Sequence, residues 1–146
     1  MSVAKFEMTD ITIMPIVDGI YEACEAAMPM LEPAIERYSR NVSADDVRLS
    51  ILSQRALLWI VRNKQTPIAA FTTSIVNHPQ RTTLMIEYMS GKHMPLWAGM
   101  ALNVLRNLAK EGKLDAIEAD GRLGFSRMAA ANGFTETHRH FEMEIE

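Results

Sequence analysis

The apolar positions of this chain recur with two periods, and the changes of period divide it into elements. Ile11-Thr12-Ile13-Met14-Pro15-Ile16 alternates as a strand does, and Pro15 suits a strand end or a sheet edge. Asp18 is placed to cap a helix through Tyr21, Ala23, Cys24, Ala27 and Met28, with Glu22 and Glu25 near its positive end. Pro29 and Pro33 remove backbone donors from that pattern and predict two short helical pieces, the second over 33–39. Ser43-Ala44-Asp45-Asp46 has the form of a cap with two carboxylates in the first turn. It opens a helix that carries Val47, Leu49, Ile51 and Leu52 up to Gln54.

Three strands follow as an antiparallel meander. Leu57-Leu58-Trp59-Ile60-Val61 is a continuous apolar run of strand length; 68–76 is the second strand and 81–89 the third, after His78-Pro79-Gln80. A six-residue loop, 90–95, leads to a helix over 96–111 whose Met100, Ala101, Val104, Leu105 and Leu108 share a face. Gly112 closes that helix as a left-handed cap. Ala116-Ile117-Glu118-Ala119 is a short strand, and 125–131 a short helix stopped by Asn132-Gly133. The tail alternates: Phe141, Met143 and Ile145 fall on one face of a last strand, Glu142, Glu144 and Glu146 on the other. Alternating helices and strands behind a strand-rich first half predict an α/β protein, with a mixed, mostly antiparallel sheet flanked by helices. A length of 146 residues suits a single domain, 1–146, with one core.

Composition leaves that picture in place, and charge narrows the partners. Hydrophobic residues make up 48% and charged residues 23%, as in folded soluble proteins. The net charge is −3 and the basic residues are scattered, so the chain lacks the basic face that nucleic-acid binding needs. No apolar run approaches the roughly 20 residues that cross a bilayer, and no charged-then-apolar leader opens the chain. Cys24 is the only cysteine, which excludes an internal disulfide and a thiolate zinc cluster and makes a cytoplasmic setting the expected one. Cys24 lies on an apolar face with no basic neighbour to activate it, and the eleven methionines read as plastic core packing. His138 and His140 share a strand face, but two imidazoles without a third ligand do not make a metal site, and no metal is expected.

The candidate chemistry gathers between Leu84 and Leu105. A strand that hands over to a helix through a loop aims backbone N–H groups at whatever lies in front of it, the usual design of an anion site. The element order, with Gly99-Met100-Ala101 opening the long helix and Asn132-Gly133-Phe134 ending the short one, resembles the GNAT superfamily of N-acetyltransferases. In that family the strand-to-helix loop reads Gln or Arg, two residues, Gly, one residue, Gly or Ala, and its amides hold the pyrophosphate of acetyl-CoA. The matching positions here are Leu96, Trp97, Ala98, Gly99, Met100 and Ala101, followed by the aliphatic pair Val104-Leu105. Leu96 departs from the pattern, since leucine offers a phosphate neither hydrogen bond nor charge. The resemblance implies acetyl-CoA as acyl donor, held by Met89, Ser90, Gly91, Lys92, His93, Trp97, Ala98, Gly99 and Arg127. A second family motif places a Tyr, the proton donor to the departing thiolate, four residues before Gly-Phe. Gly133-Phe134 match, Ala129 takes the Tyr position, and Arg122 lies near the motif's Asn. Gly121-Arg122 and Gly124-Phe125-Ser126-Arg127 look like a branch common among short phage- and prophage-encoded proteins.

Several residues carry two readings. Glu87 stands where several GNAT enzymes keep the carboxylate that deprotonates the amine; it equally suits a solvent-facing position or an ion pair with Arg81 or Arg122. Tyr88 is a substitute proton donor or a half-buried sheet aromatic, and Trp97 stacks on a ligand ring or lids the sheet. Arg122 and Arg127 meet a phosphate or pair with Asp120 or Glu136. The resemblance implies an N-acyltransferase that moves an acetyl group to a small-molecule or protein amine by direct attack. The amine would enter from the helices between Tyr21 and Tyr38. The alternative is a GNAT-fold protein without the chemistry, acting by binding as a virion component or a regulator of a host protein. The charged, alternating last strand is compatible with a homodimer.

Overall fold

The computed structural model of the chain describes residues 7–121 and 126–145. Among these, five strands form one sheet in sequence order: β1 (Ile11–Pro15), β2 (Leu57–Asn63), β3 (Thr66–Asn77), β4 (Thr82–Gly91) and β5 (Ala116–Ala119). β1 to β4 pair antiparallel and β5 runs parallel to β4. A parallel partner needs a crossover, and α3 (Met94–Glu111) supplies it on one face of the sheet. α1 (Ile20–Glu36) and α2 (Ala44–Leu52) cover the other face, and α4 (Ser126–Ala131) follows β5. The α/β reading, a mixed and mostly antiparallel sheet flanked by helices, is the observed architecture.

The unbroken apolar run of β2 follows from burial on both faces. Trp59 and Val61 join Phe71, Leu84, Ile86 and the α3 residues Trp97, Ala101 and Leu105 in one core. Leu58 and Ile60 join Cys24, Ala27, Leu31, Val47 and Ile51 under α1 and α2 in a second. Cys24 is thus core packing, as its apolar face indicates. The Ser43 cap forms as a full box: the Asp46 N–H donates to the Ser43 hydroxyl, and the Ser43 N–H donates to the Asp46 carboxylate at 2.8 Å. Among the described residues, no helix is long and apolar enough to cross a membrane.

Five expectations are corrected. α1 is one continuous helix through Pro29 and Pro33, and Gly19, in a left-handed conformation, precedes it where Asp18 was the expected cap. Both prolines lie on its solvent face, so the carbonyls they leave unbonded can be hydrated. The opposite face buries Cys24, Ala27, Met28, Leu31, Ala34 and Ile35. That packing outweighs a cost of about 3 kcal/mol per interior proline. β4 runs to Gly91 and α3 starts at Met94, so the connection is Lys92-His93 rather than six residues, because Ser90 and Gly91 pair with Ala70 and Ala69. Gly112 is right-handed; Lys113 takes the left-handed position (φ 56°), with Lys113 N–H to Lys110 O and Leu114 N–H to Ala109 O completing a Schellman cap. The tail 135–145 forms no strand, because no neighbouring strand offers it a ladder.

Candidate active site

β5 pairs with β4 only from Thr83 to Ile86, while β4 continues to Gly91. Past Ile86 the two strands part, and a cavity of about 550 Å³ opens between them. Its floor is Ile86, Glu87, Tyr88 and Met89 of β4, and Met94, Ala98 and Leu102 of α3 form one wall. Ala119, Asp120 and Gly121 at the end of β5 face them, with Ala129, Asn132 and Phe134 from α4 and its exit. Ala34, Arg37 and Tyr38 at the end of α1 close the far side.

One extra residue in β4 sets the geometry of the floor. Thr72 pairs with Tyr88, but Thr73 pairs with Ile86, so Glu87 has no partner in β3 and forms a β-bulge. The bulge changes the phase of the strand: Leu84 and Ile86 pack with α3, and so does Met89, whereas Tyr88 faces α1. Glu87 is half-buried in the cavity. Burial raises its carboxyl above the usual carboxylate range, and a hydrogen bond with the Ser74 side chain partly offsets the rise. Of the alternatives, the contact made is with Ser74 of β3 rather than Arg81. Burial, and then the charge of Glu87, push the Tyr88 phenol up. Tyr38 meets Tyr88 edge to face, with ring centres 5.8 Å apart, and its hydroxyl donates to the Asp120 carbonyl at 3.5 Å. Burial first and Asp120 second raise its pKa as well. Sequence reasoning named Tyr38 only as a bound of the helices at the amine's entrance, and missed its place in the cleft together with those of Arg37, Asp120 and Asn132. Nothing local in Glu36-Arg37-Tyr38 marks it, because a helix on the opposite face of the sheet delivers it.

No family model and no curated protein matches this sequence. Solved structures do match in shape. An aminoglycoside acetyltransferase from an uncultured soil metagenomic sample, in complex with sisomicin, has a TM-score of 0.71 at 8% identity, over 94% of this chain and 98% of that one. A predicted acetyltransferase with acetyl-CoA from Clostridium acetobutylicum has a TM-score of 0.65 at 13% identity, over 92% and 96%. A transcriptional regulator from Bacillus halodurans has a TM-score of 0.67 at 14% identity, over 92% and 99%. The chain has the GNAT fold. At these identities the likeness is one of architecture, and the residues must speak for the chemistry.

The residues of the GNAT loop motif divide sharply. Met89 and Ala98 line the cavity beside Glu87 and Tyr88. Ser90 is buried in the β3–β4 ladder, and Gly91 is pressed against Ala69; Lys92 and His93 are exposed on the connection. Trp97 is fully buried: its ring lies parallel to Phe71, centres 6.4 Å apart, and its Nε1–H donates to the Lys92 carbonyl at 2.8 Å. Of its two readings the lid over the sheet is the observed one, and no ring face is left for a ligand. Gly99 is exposed on α3, where an added Cβ would come within 3.7 Å of the Asn132 side chain. Arg127 sits in α4 with its side chain outside the described residues, and Arg122 lies outside them altogether. Glu136 pairs with Arg139 at 3.1 Å.

The helix start is a weaker anion site than its sequence suggests. Pro95 has no N–H, and Leu96 N–H donates to the His93 carbonyl at 2.9 Å. Two of the roughly four amides that a helix start leaves over are therefore gone. Lys92 N–H is likewise held by the Ile68 carbonyl at 2.9 Å. Among the described residues, no group of three or more His, Cys, Asp or Glu is arranged to hold a metal ion. His140 meets Glu142 at 2.9 Å, and Glu118 meets His78 at 2.6 Å and the Thr83 hydroxyl.

Proposed function

We propose that this chain is an N-acyltransferase of the GNAT type that moves an acetyl group from acetyl-CoA to an amine by direct attack. The observation that carries the reading is Glu87: the bulged residue of β4, half-buried in the cleft between the parting strands, with a carboxyl that burial makes more basic. An alkylammonium must lose a proton before its nitrogen attacks, and a carboxylate of raised pKa inside a cleft is suited to take it. Acetyl-CoA supplies the acetyl thioester. The backbone of β4 beyond Ile86 has no β5 partner, so it presents donors and acceptors that an amide-bearing arm can pair with as an added strand does. Met89, Met94, Ala98 and Phe134 give that arm apolar walls, and Lys92 offers charge to the diphosphate end. The Tyr88 and Tyr38 phenols, kept protonated by burial, are the donors available to the departing thiolate at a site where Ala129 has none to give. The amine, on a small molecule or a protein, enters past the end of α1, where Arg37 and Tyr38 edge the cavity.

One observation favours the second reading, a GNAT-fold protein that binds without catalysing, such as a virion component or a host-protein regulator. The amides of Lys92 and Leu96 are committed within the chain and Pro95 has none, which thins the diphosphate site that Leu96 already impoverishes. A thermal-shift titration separates the readings. Acetyl-CoA at about 100 times its dissociation constant is expected to add about 2.7 kcal/mol. Glu87→Gln is expected to keep that shift and lose thiol release with an amine acceptor. An absent shift at millimolar acetyl-CoA retires the enzyme reading, and thiol release that survives Glu87→Gln removes Glu87 from the base role.

A further inference from the structure

The bulge at Glu87 divides the cleft between the two faces of the sheet. β3 keeps its alternation throughout: Phe71 packs on the α3 side and Ala70 on the α1 side, which puts Ser74 on the α1 side as well. Glu87 hydrogen-bonds with the Ser74 side chain, so its carboxyl lies on the same side as the Tyr88 ring. Tyr38 reaches that ring from the end of α1, centres 5.8 Å apart. The contact brings the residues that precede the two tyrosines, Arg37 and Glu87, into one lobe of the cavity. Met89, Met94, Ala98 and Leu102 leave the other lobe, on the α3 side, apolar.

The charges of the cavity are few and of both signs. Among the described residues its charged lining is Arg37, Glu87 and Asp120, and Asp120 is exposed at the rim beyond β5. No hydrogen bond or ion pair among the described residues engages the Arg37 guanidinium, whereas Arg40 pairs with Glu144 and Arg48 with Glu25 and Asp45. A cation facing the lobe repels an acceptor that carries several positive charges. It suits an amine that also carries one negative group, and a guanidinium fork matches the two oxygens of a carboxylate. Ala34 and the rings of Tyr38 and Tyr88 offer such a molecule an apolar surface.

Resting on the acyltransferase reading, we propose that the acceptor is a free α-amino acid with an apolar side chain. Its carboxylate pairs with Arg37, its side chain lies against Ala34, Tyr38 and Tyr88, and its ammonium faces Glu87. The nitrogen forms a bond to the acetyl carbon as the carbon–sulfur bond breaks with its electron pair on sulfur. Of the two protons the ammonium loses, one passes through Glu87 to water and the other ends on the thiol. The product keeps the carboxylate and has no amine charge.

Thiol release is measured with leucine and phenylalanine, each against the amine that lacks its carboxylate (isoamylamine, phenethylamine), and with spermidine as a polycation. For the amino acids kcat/KM is expected to exceed that of the matching amines by about tenfold or more. Arg37→Gln is expected to remove that preference through KM, Arg37→Lys to keep part of it, and Arg37→Glu to reverse it. The side chain is exposed, so the melting temperature of each variant is expected to match the parent's. Equal or better turnover of the amines or of spermidine overturns the proposal, as does a preference that survives Arg37→Gln. A chain that acetylates none of these compounds fails the acyltransferase reading, and thermal shift then reads the lobe by itself. Stabilisation by millimolar leucine or phenylalanine that Arg37→Gln abolishes upholds the amino-acid site, and the absence of stabilisation overturns that too.

Discussion

Replacing Gly91 by alanine tests whether the end of β4, and with it the mouth of the cleft, is held by close approach to β3. Gly91 pairs with Ala69 at φ +148°, and a Cβ built there meets Ala69 Cβ at 2.3 Å, Ala69 Cα at 2.4 Å and Ile68 O at 2.6 Å. Two of the three obstacles are backbone atoms, and Ala69 is itself fully buried, so nothing gives way unless the strands separate. A side chain at positive φ costs about 1–3 kcal/mol, and overpacking costs a further 1–3 or so. The expected loss is about 4 kcal/mol. For a domain of this size that lowers the melting temperature by about 12 °C, at roughly 3 °C per kcal/mol. Gly99→Ala is the matched control. Among the described residues its Cβ meets the Asn132 side chain at 3.7 Å, and the position is interior to α3, where alanine is favoured by about 0.5–1 kcal/mol. Melting curves followed by circular dichroism decide the matter. A Gly91→Ala protein that melts within two or so degrees of the parent, or a Gly99→Ala protein that loses as much, refutes the reasoning.

Two more outcomes follow from the same geometry. Because burial raises the Glu87 pKa above its unfolded value, the parent chain keeps this carboxyl's contribution at low pH. It loses it as pH rises through the folded pKa. Glu87→Gln is therefore expected to gain stability over the parent as pH rises from 4 to 8 or so, and denaturant midpoints that run parallel across that range sink the claim. Trp97→Phe keeps the stacking partner of Phe71 but loses the bond to the Lys92 carbonyl and some volume, at an expected cost of about 1–3 kcal/mol. If Trp97 held a ligand ring instead, urea midpoints would stay put and only acetyl-CoA affinity would fall.

What the sequence makes legible here is whatever rests on local chemistry or on period. The Ser43–Asp46 box, the meander of β2 to β4 and the start of β5 can be read directly, because caps, turns and apolar runs announce themselves. Glu87, Tyr88, Met89 and Ala98, all four named from the sequence, line one cleft. The rest is set by partners distant in the chain. Pro29 and Pro33 break a helix in isolation, but not one whose other face is buried on β3 and β4. The loop shortens because Ala69 and Ala70 claim Gly91 and Ser90 as strand. The bulge leaves no trace in a run such as Leu84-Met85-Ile86-Glu87-Tyr88-Met89, where both faces carry apolar side chains and a change of phase has no contrast. The tail shows the converse: its alternation is real, but pattern alone does not say which face turns outward or supply a strand to pair with.

The bulge also says which kinds of heritable change β4 can absorb. Substitutions between Leu84 and Gly91 alter one side chain at a time and leave its neighbours aimed as before. Loss or gain of a single codon in the same stretch is a different event. Loss of Glu87 itself closes the bulge into a regular ladder, with Ile86 still opposite Thr73 and Tyr88 opposite Thr72, whereas loss of another residue, absorbed by closing the bulge, turns the side chains between the lost position and Glu87 to the opposite face. Along this strand the bulge is therefore the place where a change of length disturbs the aim of its neighbours least.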